Sequence, residues 1–239
     1  MLDTIKEFYI LGDPIETEIG ICRFVKVSEY KKYFLHLGAL SVTKNSIIYN
    51  HYKENNFKPD LDLIKVLKEM PLYEMVAVSN ETRELYSELF DFVFDKKGIF
   101  ANSVNEKNFE YYRKLIMEMN VVKEDAVSPN PEIQRWNEKS KKHKSSMADK
   151  MTFSDIVSSV KVGSHISYED IKNQTLFQLY TDFYRIASFK NFDVTTLFST
   201  VSAEKIDIEN WSKHIDLYIE EKHTISADKI KKTNQDLGL

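Results

Sequence analysis

The chain has 239 residues, 42% hydrophobic and 29% charged, with a formal net charge of −4. That length buries a real core in one large domain or two small ones, and the acidic balance excludes a global electrostatic pull towards nucleic acid. A single cysteine, Cys22, excludes an intrachain disulfide and a cysteine-rich zinc site.

Six Gly and five Pro stand against 13 Tyr and 15 Phe. Few breakers and many large apolar residues predict a mainly α (α+β) fold: an N-terminal β-hairpin or small sheet, then a multi-helix bundle in one piece or as two helical subdomains. The start has no uninterrupted apolar stretch of the secretory kind, and no run reaches the ~18–20 apolar residues of a membrane span. A soluble protein of a reducing cytoplasm is expected.

Phe8 to Val27 reads as the hairpin or small sheet. Phe8 to Leu11 is a short apolar run, Gly12-Asp13-Pro14 a turn, and Ile15 to Val27 mixes alternating and β-branched positions, with Cys22 as a small buried residue. Ser28 is a candidate N-cap lacking a capping-box acid, since Lys31 sits where it would stand. Tyr30, Phe34, Leu37 and Leu40 then form a helical stripe with Gly38 as a point of interruption, and Asn50 to Pro59 reads as a polar loop. Asp60 caps a helix over Leu61 to Met70, which Pro71 closes or kinks.

Ser79 or Asn80 opens the next helix, with Leu85, Leu89, Phe92 and Val93 on one face, and Lys96-Lys97-Gly98 ends it. Ile99 to Val104 is expected as a short strand or extended link. Asn105 starts a helix carrying Phe109, Tyr112, Leu115, Ile116 and Met119, with Asn120 at its end.

Ser128-Pro129-Asn130-Pro131 is the clearest break. Four parts are expected: residues 1–125, hairpin plus helical subdomain; 126–150, a Pro-bounded basic helix or linker; 151–223, a C-terminal helical subdomain; and 224–239, a frayed or disordered tail. In the linker, Pro131 and Glu132 suit a first helical turn. Trp136 precedes a basic run, Lys139, Lys141, Lys142, His143 and Lys144. The run reads as a solvated helix end or as a contact for nucleic acid or an acidic partner; with only Trp136 near it as a stacking aromatic, the first is preferred. Thr152 caps a helix with Phe153, Ile156, Val157 and Val160, broken at Gly163-Ser164. Tyr168 to Ala187 predicts the strongest helix of this half, through Ile171, Leu176, Leu179, Phe183 and Ile186. Shorter helices follow at Val194 to Phe198 and from Ile208 or Glu209 to about Lys222.

No Gly-rich phosphate loop, H-E-x-x-H, G-x-S-x-G or calcium-loop pattern occurs, and the six His are scattered. No catalytic, cofactor-binding or metal-binding residue is nominated, and an enzyme is not expected. The aromatic segment Phe177, Tyr180, Phe183, Tyr184, Phe189 and Phe192 reads either as helical core or as a groove for a partner helix.

Three blocks of residues carry a resemblance. The first is Asn120, Pro129 to Ile133, Trp136 and the Lys/His run. The second is Asp155-Ile156-Val157, Asp170-Ile171, Thr175 to Tyr180 and Phe183 to Ile186; the third is Asn210-Trp211 with His214-Ile215. Together they resemble the tail assembly chaperones of tailed bacteriophages, in which a "Thr-x-x-Gln-Leu-Tyr-x-x-Phe-x-Arg" helix is followed by a Trp. The resemblance implies a protein of the infected bacterial cytoplasm that binds the phage tape measure protein, keeps it soluble and helps recruit tail tube subunits. It implies partner contacts at Phe177, Tyr180, Tyr184, Trp211 and Trp136. The alternatives are a permanent tail, baseplate or connector component, a phage-encoded binder of a host defence protein, and an enzyme with an unfamiliar site.

Overall fold

A computed structural model describes residues 5–145, 151–203 and 205–218, and of residues 141–145 the backbone only. The architecture is mainly helical with a small N-terminal hairpin, as the composition predicts. The hairpin is shorter than the apolar run suggests. Tyr9–Leu11 forms a 3-10 turn closed by Gly12 at φ 74°, and only β1 (Ile15–Thr17) and β2 (Gly20–Cys22) pair, antiparallel, with Ile15 opposite Cys22. Tyr9 turns inward instead of lying in a strand, and its ring meets Phe24 edge-on at 5.4 Å.

Beyond β2 the chain crosses the interior in extended form, with Phe24 and Val25 buried. A buried extended backbone must find donors and acceptors outside its own element. Arg23 N–H donates to the Val93 carbonyl at 2.8 Å and Val25 N–H to the Asn120 side-chain oxygen at 2.9 Å. The Val25 carbonyl accepts from Leu176 N–H at 3.0 Å, and Val27 N–H donates to the Gln174 carbonyl at 2.9 Å.

Helix α1 (Val27–Ser41) rises directly from this segment. It starts one residue before Ser28, and its capping acid is Glu29, whose carboxylate accepts the Lys26 N–H at 2.9 Å. Gly38 does not interrupt it. At its far end the buried Arg113 donates to the carbonyls of Leu40 (3.0 Å) and Val42 (3.3 Å), and pairs with Glu124 at 2.7 Å and Glu110 at 3.1 Å. The guanidinium thereby satisfies carbonyls that a helix C-terminus leaves free.

Thr43 caps α2 (Lys44–Glu54), so the expected loop from Asn50 shrinks to residues 55–60. Asp60 caps α3 (Leu61–Glu69), accepting from the N–H groups of Asp62 and Leu63. Pro71 stands at the N-cap of α4 (Leu72–Val78), and Ser79 caps α5 (Asn80–Val93). The apolar run after Gly98 is a helix, α6 (Ile99–Ser103), not a strand: Gly98 at φ 72° redirects the chain, and the Asp91 carboxylate takes Ile99 N–H at 3.1 Å. Then come α7 (Glu106–Met119), capped by Asn105, and α8 (Pro131–Ser145).

In the second half α9 (Phe153–Ser164) is capped by Thr152. The single helix expected over Tyr168 to Ala187 is two, α10 (Tyr168–Asn173) and α11 (Leu176–Val201). They part at Gln174-Thr175 because the backbone there bonds to Val25 and Val27 across an isolated antiparallel bridge between Lys26 and Thr175. α11 also absorbs the short helix expected at Val194 to Phe198. The described residues from Ile208 to Tyr218 form irregular chain with short turns, not the expected helix; the rest of that helix and the 224–239 tail lie outside the described residues.

One large core gathers Tyr9, Phe24, Leu40, Tyr86, Phe90, Phe109 and Ile116, and Leu176 from α11 joins it. A smaller one joins Val160, Ile171 and Leu179, with Val27 packed against both.

Two helix glycines have opposite surroundings. A Cβ at Gly163 would lie 2.6 Å from the Ile186 side chain, the close approach of α9 to α11, whereas a Cβ at Gly38 would have nothing within 4 Å. Gly38→Ala should therefore stabilise the fold by about 0.5–1 kcal/mol through helix propensity alone. Gly163→Ala should destabilise it by about 1–3 kcal/mol through overpacking. Paired denaturant titrations read the two signs. In the same assay, Asn120→Ala should cost about 1–3 kcal/mol by orphaning the buried Val25 N–H; a neutral result would mean that water or a shifted backbone takes over that bond.

Candidate functional site

The most conspicuous surface feature is an apolar groove of ≈ 950 Å³. Phe34, Leu35 and Gly38 of α1 face it, as do Leu63, Val66 and Leu67 of α3, Met75 and Val78 of α4, and Leu85 of α5. Glu81 is the one charged residue among those lining it. Leu35, Val66 and Val78 are 61%, 51% and 75% exposed, so apolar side chains of three helices stand open to water around one concavity. Such an open apolar concavity is a candidate contact surface.

The local sequence explains why the groove stays open. α3 carries Leu61, Leu63, Ile64, Val66 and Leu67 within nine residues, yet only Ile64 is buried. The helix packs on α2, and Lys44 Nζ donates to the Lys68 carbonyl at 2.7 Å. α1 is wedged at both ends, and between them Gly38 leaves the floor bare of side chain. No neighbour lies within 4 Å of the position a Gly38 Cβ would take, so the space over this part of α1 is open.

The five residues named from the resemblance fall into separate environments. Phe177 is half-buried, packed edge-on against Tyr9 at 5.6 Å as a cover of the main core. Tyr180 is half-buried, and burial pushes its hydroxyl up to about 12. Tyr184 is exposed beside Phe183. Trp211 lies edge-on to Phe189 at 5.3 Å. Trp136 is 74% exposed on α8, with Lys139 Nζ 5.9 Å from its ring. Of the basic run, Lys139 alone has a described side chain.

The motif has an architectural role. Thr175 and Gln178 exchange capping bonds, and Gln178 Nε2 reaches the Ile10 carbonyl at 2.9 Å. Leu179 is buried, and Arg185 donates to the carbonyls of Trp211 and Lys213 at 2.6 and 2.8 Å, fastening the returning chain to α11. The sequence puts Phe34 on one helical stripe with Leu37 and Leu40, and periodicity alone does not reveal the groove. The available signal was the apolar excess of α3, more than one face of so short a helix can bury.

Among the described residues no cluster of three or more His, Cys, Asp or Glu is placed to hold a metal, and no helix is long and apolar enough to cross a membrane.

A family model for the YomV N-terminal domain matches residues 3–129, and one for the YomV second domain matches residues 139–216. The SPbeta prophage-derived uncharacterized protein YomV of Bacillus subtilis (strain 168) is 36% identical over 241 residues, spanning 99% of this chain and 100% of that one. No solved structure matches.

Cys22 offers a direct check on the interior beneath the hairpin. Burial pushes its thiol up to about 12, so the folded protein should resist iodoacetamide at about pH 8, where an ordinary thiol is partly ionised. Denaturant should release full reactivity, and fast labelling of the native protein would place Cys22 at the surface.

Proposed function

The chain belongs to the YomV family, which includes a prophage-derived protein, and from that premise we propose that it is a phage-encoded binding protein, without catalysis of its own, that docks an amphipathic helix of a partner chain. The groove between α1, α3, α4 and α5 is the observation that carries this reading. Its lining is apolar, its volume sits at the upper end of the range for well-formed sites, and Gly38 leaves the α1 side of it open. Helix-in-groove recognition uses such a surface, with apolar anchors at i, i+3, i+4 and i+7 entering from the partner.

The tail-chaperone resemblance supplies the partner: the tape measure protein, a long helical chain that exposes apolar seams until the tail tube encloses it. A groove accepting any apolar helical seam would shield such a chain at many places, each contact modest and the sum strong. The host bacterial cytoplasm during infection is where that task falls.

The test is co-expression with the tape measure protein of the same phage, followed by pull-down and size-exclusion chromatography. The wild type should keep the tape measure in solution and co-elute with it. Gly38→Leu, which fills the groove floor, and Val66→Glu, which charges its wall, should each weaken the complex about 10-fold or more, a loss of about 1.4 kcal/mol, with helical content unchanged. Tyr184→Ala should leave it intact. Binding that survives both groove variants but falls with Tyr184→Ala or Trp211→Ala would move the site to the aromatic face of α11. Absence of co-elution, with the protein present in washed virions, would replace the chaperone by a structural component.

A further inference from the structure

Among the described residues a second exposed apolar surface has no partner and suits the groove. α11 is 26 residues long, about 39 Å at the usual rise. It packs on α9, α1 and the 3-10 turn, and the returning chain covers one side of its distal half through Trp211 on Phe189. Val194, Leu197, Phe198 and Val201 lie on another face at i, i+3, i+4 and i+7, and are 52%, 68%, 59% and 78% exposed. None of the ten residues 194–203 is charged.

We propose that, in the absence of another partner, the groove is occupied by the Val194–Val201 stripe of a second copy of this chain; this rests on the reading of the groove as a helix-docking site. Charge matching selects the occupant. An apolar groove lined by one acid rejects a helix that would bury charges, because desolvating an unpaired charge costs more than the contact returns. The distal two turns of α11 are a charge-free helical segment, and their anchors have the spacing such a groove takes. The contact joins two different patches; on this proposal two copies exchange it reciprocally, groove to stripe and stripe to groove, which makes a two-fold dimer and covers twice the apolar area of a single contact. A partner helix with more anchors then displaces the second copy by mass action, and the self-associated form is a store of protein whose groove is protected from indiscriminate apolar contacts.

Sedimentation velocity on the full chain, from about 1 μM to about 1 mM, covers the weak end of the affinity scale. The wild type should move from monomer towards dimer mass, whereas Leu197→Glu (stripe lost, groove intact) and Val66→Glu (groove lost, stripe intact) should each stay monomeric. Both positions are exposed, so circular dichroism should show both variants folded. An equimolar mixture of the two should regain a dimer, since one intact groove meets one intact stripe. A wild type monomeric throughout overturns the proposal, as does self-association that both variants retain. A mixture that fails to pair, while the wild type dimerises, points to a stripe-on-stripe contact and overturns it equally. The groove reading is judged separately with the tape measure pull-down on Leu197→Glu: retained binding there upholds it even if the wild type never self-associates.

Discussion

A backbone amide buried without a partner costs on the order of 1–3 kcal/mol, and the segment from Arg23 to Val27 would bury several at the centre of this molecule. Its donors and acceptors are met by the end of α5, by the Asn120 side chain at the end of α7, and by the junction of α10 and α11. No local structure could supply those partners. The requirement therefore fixes three parts of the chain, far apart in sequence, around one strip of backbone. It also explains why Leu176, from the second half, sits in the core of the first. α1 leaves this strip with its N-terminus already oriented, and Arg113 secures the other end. The floor of the groove is thus among the best-anchored elements of the fold.

Capping chemistry acts over three residues and was legible at several helix starts, though not at Ser28, where the helix begins earlier and Glu29 is the capping acid. Asp60, Ser79, Asn105 and Thr152 each take the predicted role because a short polar side chain before an apolar run has one favourable use. The break at Gln174-Thr175 was not legible, since neither residue is a helix breaker and its cause lies some 150 positions away, at Val25 and Val27. The same holds for Asn120, which reads as an ordinary helix end yet presents its amide to a distant backbone. Ile99 to Val104 could not be told from a strand by its apolar character alone, and Asp91, one turn back on α5, decided it.

The candidate site was less legible than the fold, for a physical reason. Periodicity tells which residues share a face but not whether anything covers that face. Phe177 and Phe34 look alike in a helical stripe, yet one seals the core against Tyr9 and the other borders open solvent. The Thr-x-x-Gln and Arg signature of α11 is likewise spent on internal bonds.

The floor of the groove, α1, and its wall, α3, are held unequally. α1 is clamped at both ends, whereas α3 is tied down by Ile64, its own cap and one lysine-to-carbonyl bond. Local opening free energies scale with such ties, so α3 is the less constrained of the two. A guest that buried Leu63 and Val66, both exposed here, would add ties that α3 lacks. On the proposed reading, such a surface would discriminate little between leucine-rich and phenylalanine-rich seams and would favour a guest that reaches both α1 and α3.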